Sequence, residues 1–330
     1  MKRSRGARKW VVATVVAAGW LVAASAVAQT PEKWPTKPVR FLVGFSPGSA
    51  TDITARLLAP KLEEIWKHPV VIENRSGAGG TLAWAVAAQA TPDGHTLAVT
   101  STAFAITAVL QGKNLPYDAL KDFRAVTMIG TTTGVLSVAP SLGVTSAKEL
   151  IALVKERSTK ILYGSTGAGS GMHMGTERFN LAAGIRPQHV AFKGQPEMII
   201  EVVTGRVHFA IPSLGPAMPF IKDGRLIPLA VNTPTRSPQL PDVPAILEFL
   251  PTFERDAAHA LMAPAKTPTW IVQKIAKDIA RVLEMPDVKQ RMYAMSFDPA
   301  PTTPEEYDRE VRRQIEIFTT VAKAVGLLPK

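Results

Sequence analysis

Short apolar runs alternate with amphipathic segments along the chain, and this alternation constrains the fold more than any other feature. In the first half, strand-like runs at 39–45, 70–72 and 96–100 are separated by helix-like segments at 52–66 and 80–90. A strand–helix repeat with short connections is typical of a parallel sheet covered by helices on both faces. The pattern therefore predicts an α/β fold.

A similar pattern restarts in the second half. A strand-like run at 160–163 leads through a glycine-rich loop into a helix predicted from about Met172 to Ala183, with Gly184 as its C-terminal cap. A Thr303-Pro304-Glu305-Glu306 sequence predicts a capped start for a C-terminal helix that runs to about Ala324. Two similar halves imply two lobes with a cleft between them, where ligands bind beyond the carboxyl ends of the strands. Further strands are predicted at 189–192, 207–211 and 227–231.

The N-terminus has the three parts of a secretory signal. Five basic residues lie among the first nine, no charge follows between Trp10 and Ala28, and the stretch closes on Ala26-Val27-Ala28. The alternative is an uncleaved membrane anchor, but a small-x-small site at the end favours cleavage. We therefore expect a signal peptide of about residues 1–28 and export from the cytoplasm.

Composition excludes several classes of function. Because the chain has no cysteine, it has no disulfide framework, thiolate metal site or cysteine nucleophile. Its net charge of +11 includes five charges in the predicted signal, and the remaining basic residues are scattered, which argues against nucleic-acid binding. The histidines show no zinc-binding spacing, and no G-x-S-x-G elbow occurs. We expect no metal and no cofactor.

The first candidate binding loop follows the 39–45 strand. Gly48 permits a tight turn, after which the amides of Ser49, Ala50 and Thr51 come from a predicted helix start. Unpaired amides and the positive end of the helix dipole form an anion site without a basic side chain. Asp52 fits better as a capping residue, three positions after a Ser49 N-cap.

The second candidate loop is the glycine-rich stretch at 164–173. Backbone amides and hydroxyls at Thr166, Ala168, Gly169 and Ser170 form a potential cradle, although the sequence is not a phosphate-loop motif. His173, at the start of the following helix, is a further candidate ligand contact. An alternative is a hydrolase that uses Ser170 and His173, but nothing nearby supplies an orienting acid or an oxyanion hole.

A third small loop follows the 96–100 strand. The hydroxyls of Ser101 and Thr102 would reach a ligand in the cleft, and Phe104 would form part of its wall. The alternative interpretation is a polar strand end followed by a core phenylalanine. The sequence leaves both open.

These loops carry a resemblance to a known family. Phe45-Ser46-Pro47-Gly48-x-x-x-Asp52-x-x-Ala55-Arg56 resembles the F-x-P-G-G-x-x-D-x-x-A-R signature of Bug-type proteins, the extracytoplasmic solute receptors of the tripartite tricarboxylate transporter family. The likeness continues in order along the chain, but Ser49 replaces the second glycine of the signature, and Pro196 stands one place earlier than the family's proline. Further matching segments are 73–80, 91–97, 115–123, 163–173, 192–194, 236–244 and 263–268.

The resemblance implies a type II periplasmic-binding-protein fold, with two α/β lobes that close on a small carboxylate. Lobe 1 would comprise 29–130 and a return at 251–330, and lobe 2 would comprise 131–250. The ligand contacts would be Gly48, Ser49, Ala50 and Thr51 of the first loop, facing Thr166, Ala168, Gly169 and Ser170 of the second.

The implied partners are the carboxylate and the membrane components of a tripartite tricarboxylate-type transporter. We expect a monomeric receptor in the periplasm and no enzyme. A sensory protein that presents its ligand to a membrane signalling partner is the main alternative, and the sequence leaves the identity of the carboxylate open.

Overall fold

The computed structural model describes residues 33–157, 160–233, 235–253 and 259–328. The predicted signal peptide at 1–28 lies outside these residues. All elements described below lie in the compact unit that begins at Lys37. Within the described ranges, no helix combines the length and the apolar character needed to cross a bilayer.

Strands and helices alternate over most of the unit, as the sequence predicts. The strands are β1 (Val39–Val43), β2 (Val70–Asn74), β3 (Thr96–Ser101), β4 (Phe123–Thr132), β5 (Val135–Val138), β6 (Leu162–Ser165), β7 (Gln188–Ala191), β8 (Phe209–Ala210), β9 (Ile227–Val231), β10 (His259–Pro264) and β11 (Phe297–Pro299). The helices are α1 (Ala50–Trp66), α2 (Thr81–Ala88), α3 (Ala103–Gln111), α4 (Ala147–Arg157), α5 (Gly171–Ala183), α6 (Gln195–Val203), α7 (Leu214–Lys222), α8 (Thr269–Leu283), α9 (Pro286–Ala294) and α10 (Pro304–Ala324).

The strands form two sheets, each with helices packed against it. The first is six-stranded, in the order β11-β4-β10-β3-β1-β2, and the second is five-stranded, in the order β7-β6-β8-β5-β9. The predicted parallel pairing holds for β1 with β2 and β3, and for β6 with β7 and β8. The other pairs are antiparallel, so neither sheet is wholly parallel. This arrangement is an α/β fold with two lobes.

Capping residues fix the helix boundaries where the sequence predicts them. Thr303 accepts the amide of Glu306 at 3.2 Å, and the Glu306 carboxylate accepts the amide of Thr303 at 2.8 Å, which forms the predicted capping box of α10. Gly184 ends α5 with a φ of 63°, a left-handed conformation that favours glycine. The strand predicted at 207–211 is shorter than expected, because only Phe209 and Ala210 form ladder bonds.

Thr133 joins the two lobes at the point where the chain passes from β4 to β5. Its amide donates to the carbonyl of Ser296 at 3.0 Å, and its carbonyl accepts the amide of Leu214 at 2.8 Å. Its hydroxyl donates to the carboxylate of Asp298 at 2.5 Å. One residue is thus bonded both to the β11 region of the first sheet and to the helix that follows β8 in the second.

A buried apolar cluster also connects helices of the two lobes. Ile106 and Val109 of α3 pack with Met174 of α5 and with Phe318 and Val321 of α10. The α3 helix follows a strand of the first sheet, whereas α5 follows a strand of the second. The helix that begins at the glycine-rich loop is therefore packed against the other lobe along its first turns.

Candidate ligand-binding site

The first predicted loop forms a sharp turn between β1 and α1. Gly48 adopts a φ of 81°, and its amide donates to the Asp52 carboxylate at 2.9 Å. The hydroxyl of Ser49, the N-cap, accepts the amide of Asp52 at 3.3 Å. Asp52 therefore caps the helix as predicted, but its carboxylate bonds the residue before the N-cap instead of the N-cap itself.

Asp52 is buried and fully engaged in local hydrogen bonds. Arg56 Nε donates to both carboxylate oxygens at 3.0 Å, and Asn74 Nδ2 donates to one of them at 2.8 Å. Burial opposes ionisation of this carboxyl group, but the bonds from Arg56, the Gly48 amide and Asn74 outweigh burial and hold its pKa below the ordinary value. Asp52 is thus an ionised structural residue.

Two amides at the start of α1 are left as donors. Among the described residues, the N–H groups of Ala50 and Thr51 donate to no acceptor. The hydroxyl of Ser49 accepts a bond from Asp52 and retains its own hydrogen to donate. Ala50 is exposed and Ser49 is partly exposed. Together with the helix dipole, these donors favour an anion at this position.

The second predicted loop repeats this geometry between β6 and α5. Gly169 has a φ of 74°, and its amide donates to Nδ1 of His173 at 3.0 Å. The hydroxyl of Ser170 accepts the amide of His173 at 3.1 Å. Within the described chain, the amides of Gly171 and Met172 have no acceptor. The second loop therefore presents the same set of donors as the first.

The buried side chain of His173 accepts the Gly169 amide and so fixes the turn of the second loop. It is only 5% exposed, and its ring stacks on that of His189 with centroids 4.0 Å apart. Burial, together with the neighbouring His189, lowers the pKa of His173 to about 4, so the ring is neutral at pH 7. His189 in turn lies 2.7 Å from the hydroxyl of Ser165, at the end of β6.

The structure does not pair Ser170 and His173 as a nucleophile and a base. Ser170 Oγ accepts the backbone amide of His173, and His173 Nδ1 accepts the amide of Gly169. In the described part of the chain, no hydrogen bond joins the two side chains. These contacts are those of helix capping and do not activate the hydroxyl.

The remaining predicted residues lie at the start of α3 and within the second loop. Ser101 ends β3 and accepts the amide of Ala103 at 3.3 Å, and Thr102 is the N-cap of α3. Thr166 is partly exposed and Ala168 is exposed. No hydrogen bond links the first loop to the second within the described ranges. The second loop does lie against α3, because a Cβ added to Gly169 would be 3.0 Å from Leu110 Cδ1.

Several residues near the site are not predicted from the sequence. His259, at the start of β10, bonds the hydroxyls of Thr51 and Thr54. Gln195, after β7, and Ser213, after β8, exchange two hydrogen bonds, of 2.9 and 3.2 Å. These pairings join residues far apart in the sequence, so no local motif indicates them. A cavity of about 50 Å³ lies behind the second helix start, lined by Gly171, Met172, Gly175, Thr176, Arg178, Ile211, Asn232 and Phe253.

Other concave surfaces lie away from the helix starts. One depression, of about 580 Å³, is lined by Ala108, residues between Gly112 and Leu120, and Ile315. Another, of about 590 Å³, is lined by residues between Pro301 and Arg313 and by Met128. Within the described ranges, no group of three or more His, Asp or Glu side chains is placed to hold a metal ion. The two helix starts are therefore the candidate binding site.

Comparison with known proteins matches the chain to one family. The sequence model described as "Tripartite tricarboxylate transporter family receptor" matches residues 54–327. The chain is 30% identical over 297 residues to protein BugT of Bordetella pertussis, which covers 89% of this chain and 91% of that protein.

Two solved structures of related proteins contain carboxylates. The structure of R. palustris Rpa4515 with adipate is 33% identical, with a TM-score of 0.72, and the match covers 90% of this chain and 100% of that one. The structure of MatC (Rpa3494) from Rhodopseudomonas palustris with bound malate is 28% identical, with a TM-score of 0.67. The match covers 87% of this chain and 99% of that one.

Proposed function

The chain belongs to the tripartite tricarboxylate transporter receptor family, and from that premise we propose that it captures a small carboxylate between its two lobes. We further propose that it does so in the periplasm and delivers the ligand to the membrane components of a tripartite transporter. The contact residues in this proposal are Gly48, Ser49, Ala50, Thr51, Ser101, Thr102, Thr166, Ala168, Gly169 and Ser170, with His173 supporting the second loop.

One observation carries this proposal: in the part of the chain that the structure describes, the two helix starts present matched donors and no unpaired charged side chain. Each helix start offers two unpartnered amides and one serine hydroxyl hydrogen. The adjacent side chains of Asp52 and His173 already accept the capping bonds from the amides of Gly48 and Gly169. Carboxylate oxygens are acceptors only, so they complement a site made of donors. Ligand contacts to both lobes would favour the closed state over the open one.

The ligand class is open to a direct test with adipate and malate, the ligands of the two related structures. We expect at least one member of a panel of mono- and dicarboxylates that includes both to raise the melting temperature and to give a calorimetric binding isotherm, because a ligand that binds only the folded state stabilises it. A panel with no thermal shift and no binding heat would refute carboxylate capture.

Variants of the N-cap serines test the site itself. Ser49→Ala and Ser170→Ala each remove a hydroxyl donor, and we expect each to weaken ligand binding by roughly tenfold, the equivalent of one hydrogen bond. Ser146→Ala is a matched control, because Ser146 caps α4 by accepting the amide of Glu149 at 3.2 Å. It should lose a similar amount of stability and keep full affinity. Equal ligand affinity in all three variants would contradict a binding site at the two helix starts.

Transport and sensing make different predictions for cells that lack this protein. If the receptor serves a transporter, we expect its deletion to abolish uptake of the labelled carboxylate. If it presents the ligand to a signalling partner, uptake should persist and a transcriptional response to the carboxylate should be lost. Hydrolysis is disfavoured by the capping role of Ser170 and His173, and product formation that disappears in Ser170→Ala would revive it.

A further inference from the structure

His259 lies where two of the predicted binding loops meet. It begins β10 and pairs with Ser101 at the end of β3 on one side and with Gly130 of β4 on the other. Its ring is buried and stacks on Phe297, with centroids 4.7 Å apart. Both ring nitrogens point at threonines of α1, so the ring connects the start of β10 with the first turn of that helix.

The hydrogen bonds determine which ring nitrogen carries the proton. The hydroxyl of Thr54 donates to the carbonyl of Ala50 at 2.8 Å, so it can only accept from Nδ1 of His259, 3.0 Å away. Nδ1 is therefore protonated, and Nε2 accepts the hydroxyl hydrogen of Thr51 at 3.3 Å. Burial lowers the pKa of His259 to about 4, which keeps this neutral form at pH 7.

We infer that His259 is a positioning residue for the ligand site, because it holds both residues whose free amides form the first helix start. It bonds Thr51 directly, and it bonds Ala50 through the hydroxyl of Thr54. This inference rests on the proposed function. It adds a residue about 200 positions away in the sequence that is linked to both residues of the helix start. The Ala50 carbonyl, which it reaches through Thr54, belongs to the same peptide unit as the free amide of Thr51.

A second histidine provides the structural contrast. Nδ1 of His208 accepts the amide of Leu162 at 3.0 Å, at the start of β6. That bond lies at the opposite end of β6 from the glycine-rich loop. His208 therefore stabilises the sheet without contacting a helix start, and its removal measures the cost of losing a histidine hydrogen bond alone.

Nitrogen-15 NMR tests the first step without any ligand. In long-range spectra that correlate ring nitrogens with ring protons, we expect the His259 signals of the Nδ1–H tautomer, the less common form in free histidine. Nε2–H signals would overturn the arrangement. We also expect the amide resonances of Ala50 and Thr51 to shift in His259→Phe and to stay close to wild type in His208→Phe.

Calorimetry with adipate and malate tests the consequence for binding. His259→Phe keeps the aromatic stack and removes both bonds, so we expect about tenfold weaker binding of whichever probe binds the wild type. His259→Gln retains one donor and one acceptor and should stay within roughly threefold of wild type, and His208→Phe should lose stability only. If His259→Phe does not fold, Thr54→Val removes the same link to Ala50.

The outcomes separate this inference from the proposed function. Wild-type affinity in a folded His259→Phe or Thr54→Val protein would overturn the positioning role and leave carboxylate capture intact. If the wild type binds neither probe, carboxylate capture fails for these ligands, and the Ala50 and Thr51 amide resonances decide the positioning role. Unchanged resonances in His259→Phe would then refute it.

Discussion

Asp52 and His173 accept equivalent hydrogen bonds at the two helix starts, from the amides of Gly48 at 2.9 Å and Gly169 at 3.0 Å. Each stands three positions after its N-cap serine. The first acceptor is a carboxylate and the second is an imidazole, and the groups that surround each side chain explain this difference. A guanidinium and an amide donate to the carboxylate, whereas the imidazole lies against a second imidazole. A buried carboxylate requires such donors, and a neutral ring does not.

This difference predicts unequal effects of two substitutions at position 173. In His173→Asn, the amide oxygen still accepts from Gly169, so we expect a loss of about 1 kcal/mol in the free energy of unfolding. His173→Asp would bury a charge without a cation and should cost about 2–4 kcal/mol at pH 7. Urea unfolding measures the free energy of unfolding of both variants. The difference between them should become smaller at pH 4, where the aspartate is protonated. Equal stability at pH 7 would contradict the explanation.

Asp52→Asn removes the charge at the first helix start. We expect it to lose about 1–3 kcal/mol of stability, since Arg56 and Asn74 then face a neutral amide. Because the pKa of Asp52 is lowered in the folded state, its contribution is present above pH 4 and is lost as the pH falls through the folded value.

Glu149→Gln provides the matched control for Asp52→Asn. The Glu149 carboxylate accepts the amide of Thr145 at 2.7 Å in the same capping arrangement, at the exposed start of α4. We expect this variant to lose less stability than Asp52→Asn and to bind the carboxylate normally, whereas Asp52→Asn should also bind more weakly. Calorimetric titration and urea unfolding of both variants check this. Equal affinities would contradict a link between the Asp52 cap and the site.

Buried neutral histidines predict an acid-sensitive fold. Burial lowers the pKa values of His173 and His259 to about 4 from an ordinary value of 6.5. The unfolded chain therefore binds more protons between these pH values, so stability is full above pH 6.5 and falls as the pH drops toward 4. Each histidine accounts for on the order of 3 kcal/mol of the free energy of unfolding that is lost over this pH range. Urea unfolding at pH 7.5 and 4.5 should show a smaller difference for His173→Asn than for wild type, and an unchanged difference would refute this assignment.

Much of the fold is predictable because its signals are local. The α1 helix follows from the apolar spacing before Trp66, and the capping box at Thr303 sets the start of α10. The antiparallel strands are harder to predict from the sequence. β4 and β5 are buried on both faces and have no alternation to mark them, and β10 joins the first sheet only after the chain has passed through the second.

The same distinction applies to the site. The turn at Gly48, its N-cap serine and the glycine-rich loop are sequence-local and predictable. The bond from Thr51 to His259 spans 208 positions and depends on the order of strands in the sheet. The sequence predicts His173 as a ligand contact, but its local pattern does not indicate that the side chain is buried. Burial depends on stacking against His189, which comes from strand β7 of the second sheet.

The two loop glycines differ in the space around them, and this difference predicts an order of effects. Gly48 and Gly169 have φ values of 81° and 74°, so alanine at either position is strained by roughly 1–2 kcal/mol. A Cβ at Gly48 meets nothing within 4 Å, but a Cβ at Gly169 would lie 3.0 Å from Leu110. We therefore expect Gly169→Ala to be more destabilising than Gly48→Ala by about 1 kcal/mol.

A double mutant separates strain from crowding at Gly169. Leu110→Ala removes the atom that the new Cβ would meet, so its cost and that of Gly169→Ala should sum to more than the cost of the double variant. In combination with Gly48→Ala, the two costs should be additive, since Gly48 has no such neighbour. Urea unfolding of the five variants gives both cycles. Additivity in the Gly169 cycle would contradict a crowding contact between a Cβ at position 169 and Leu110.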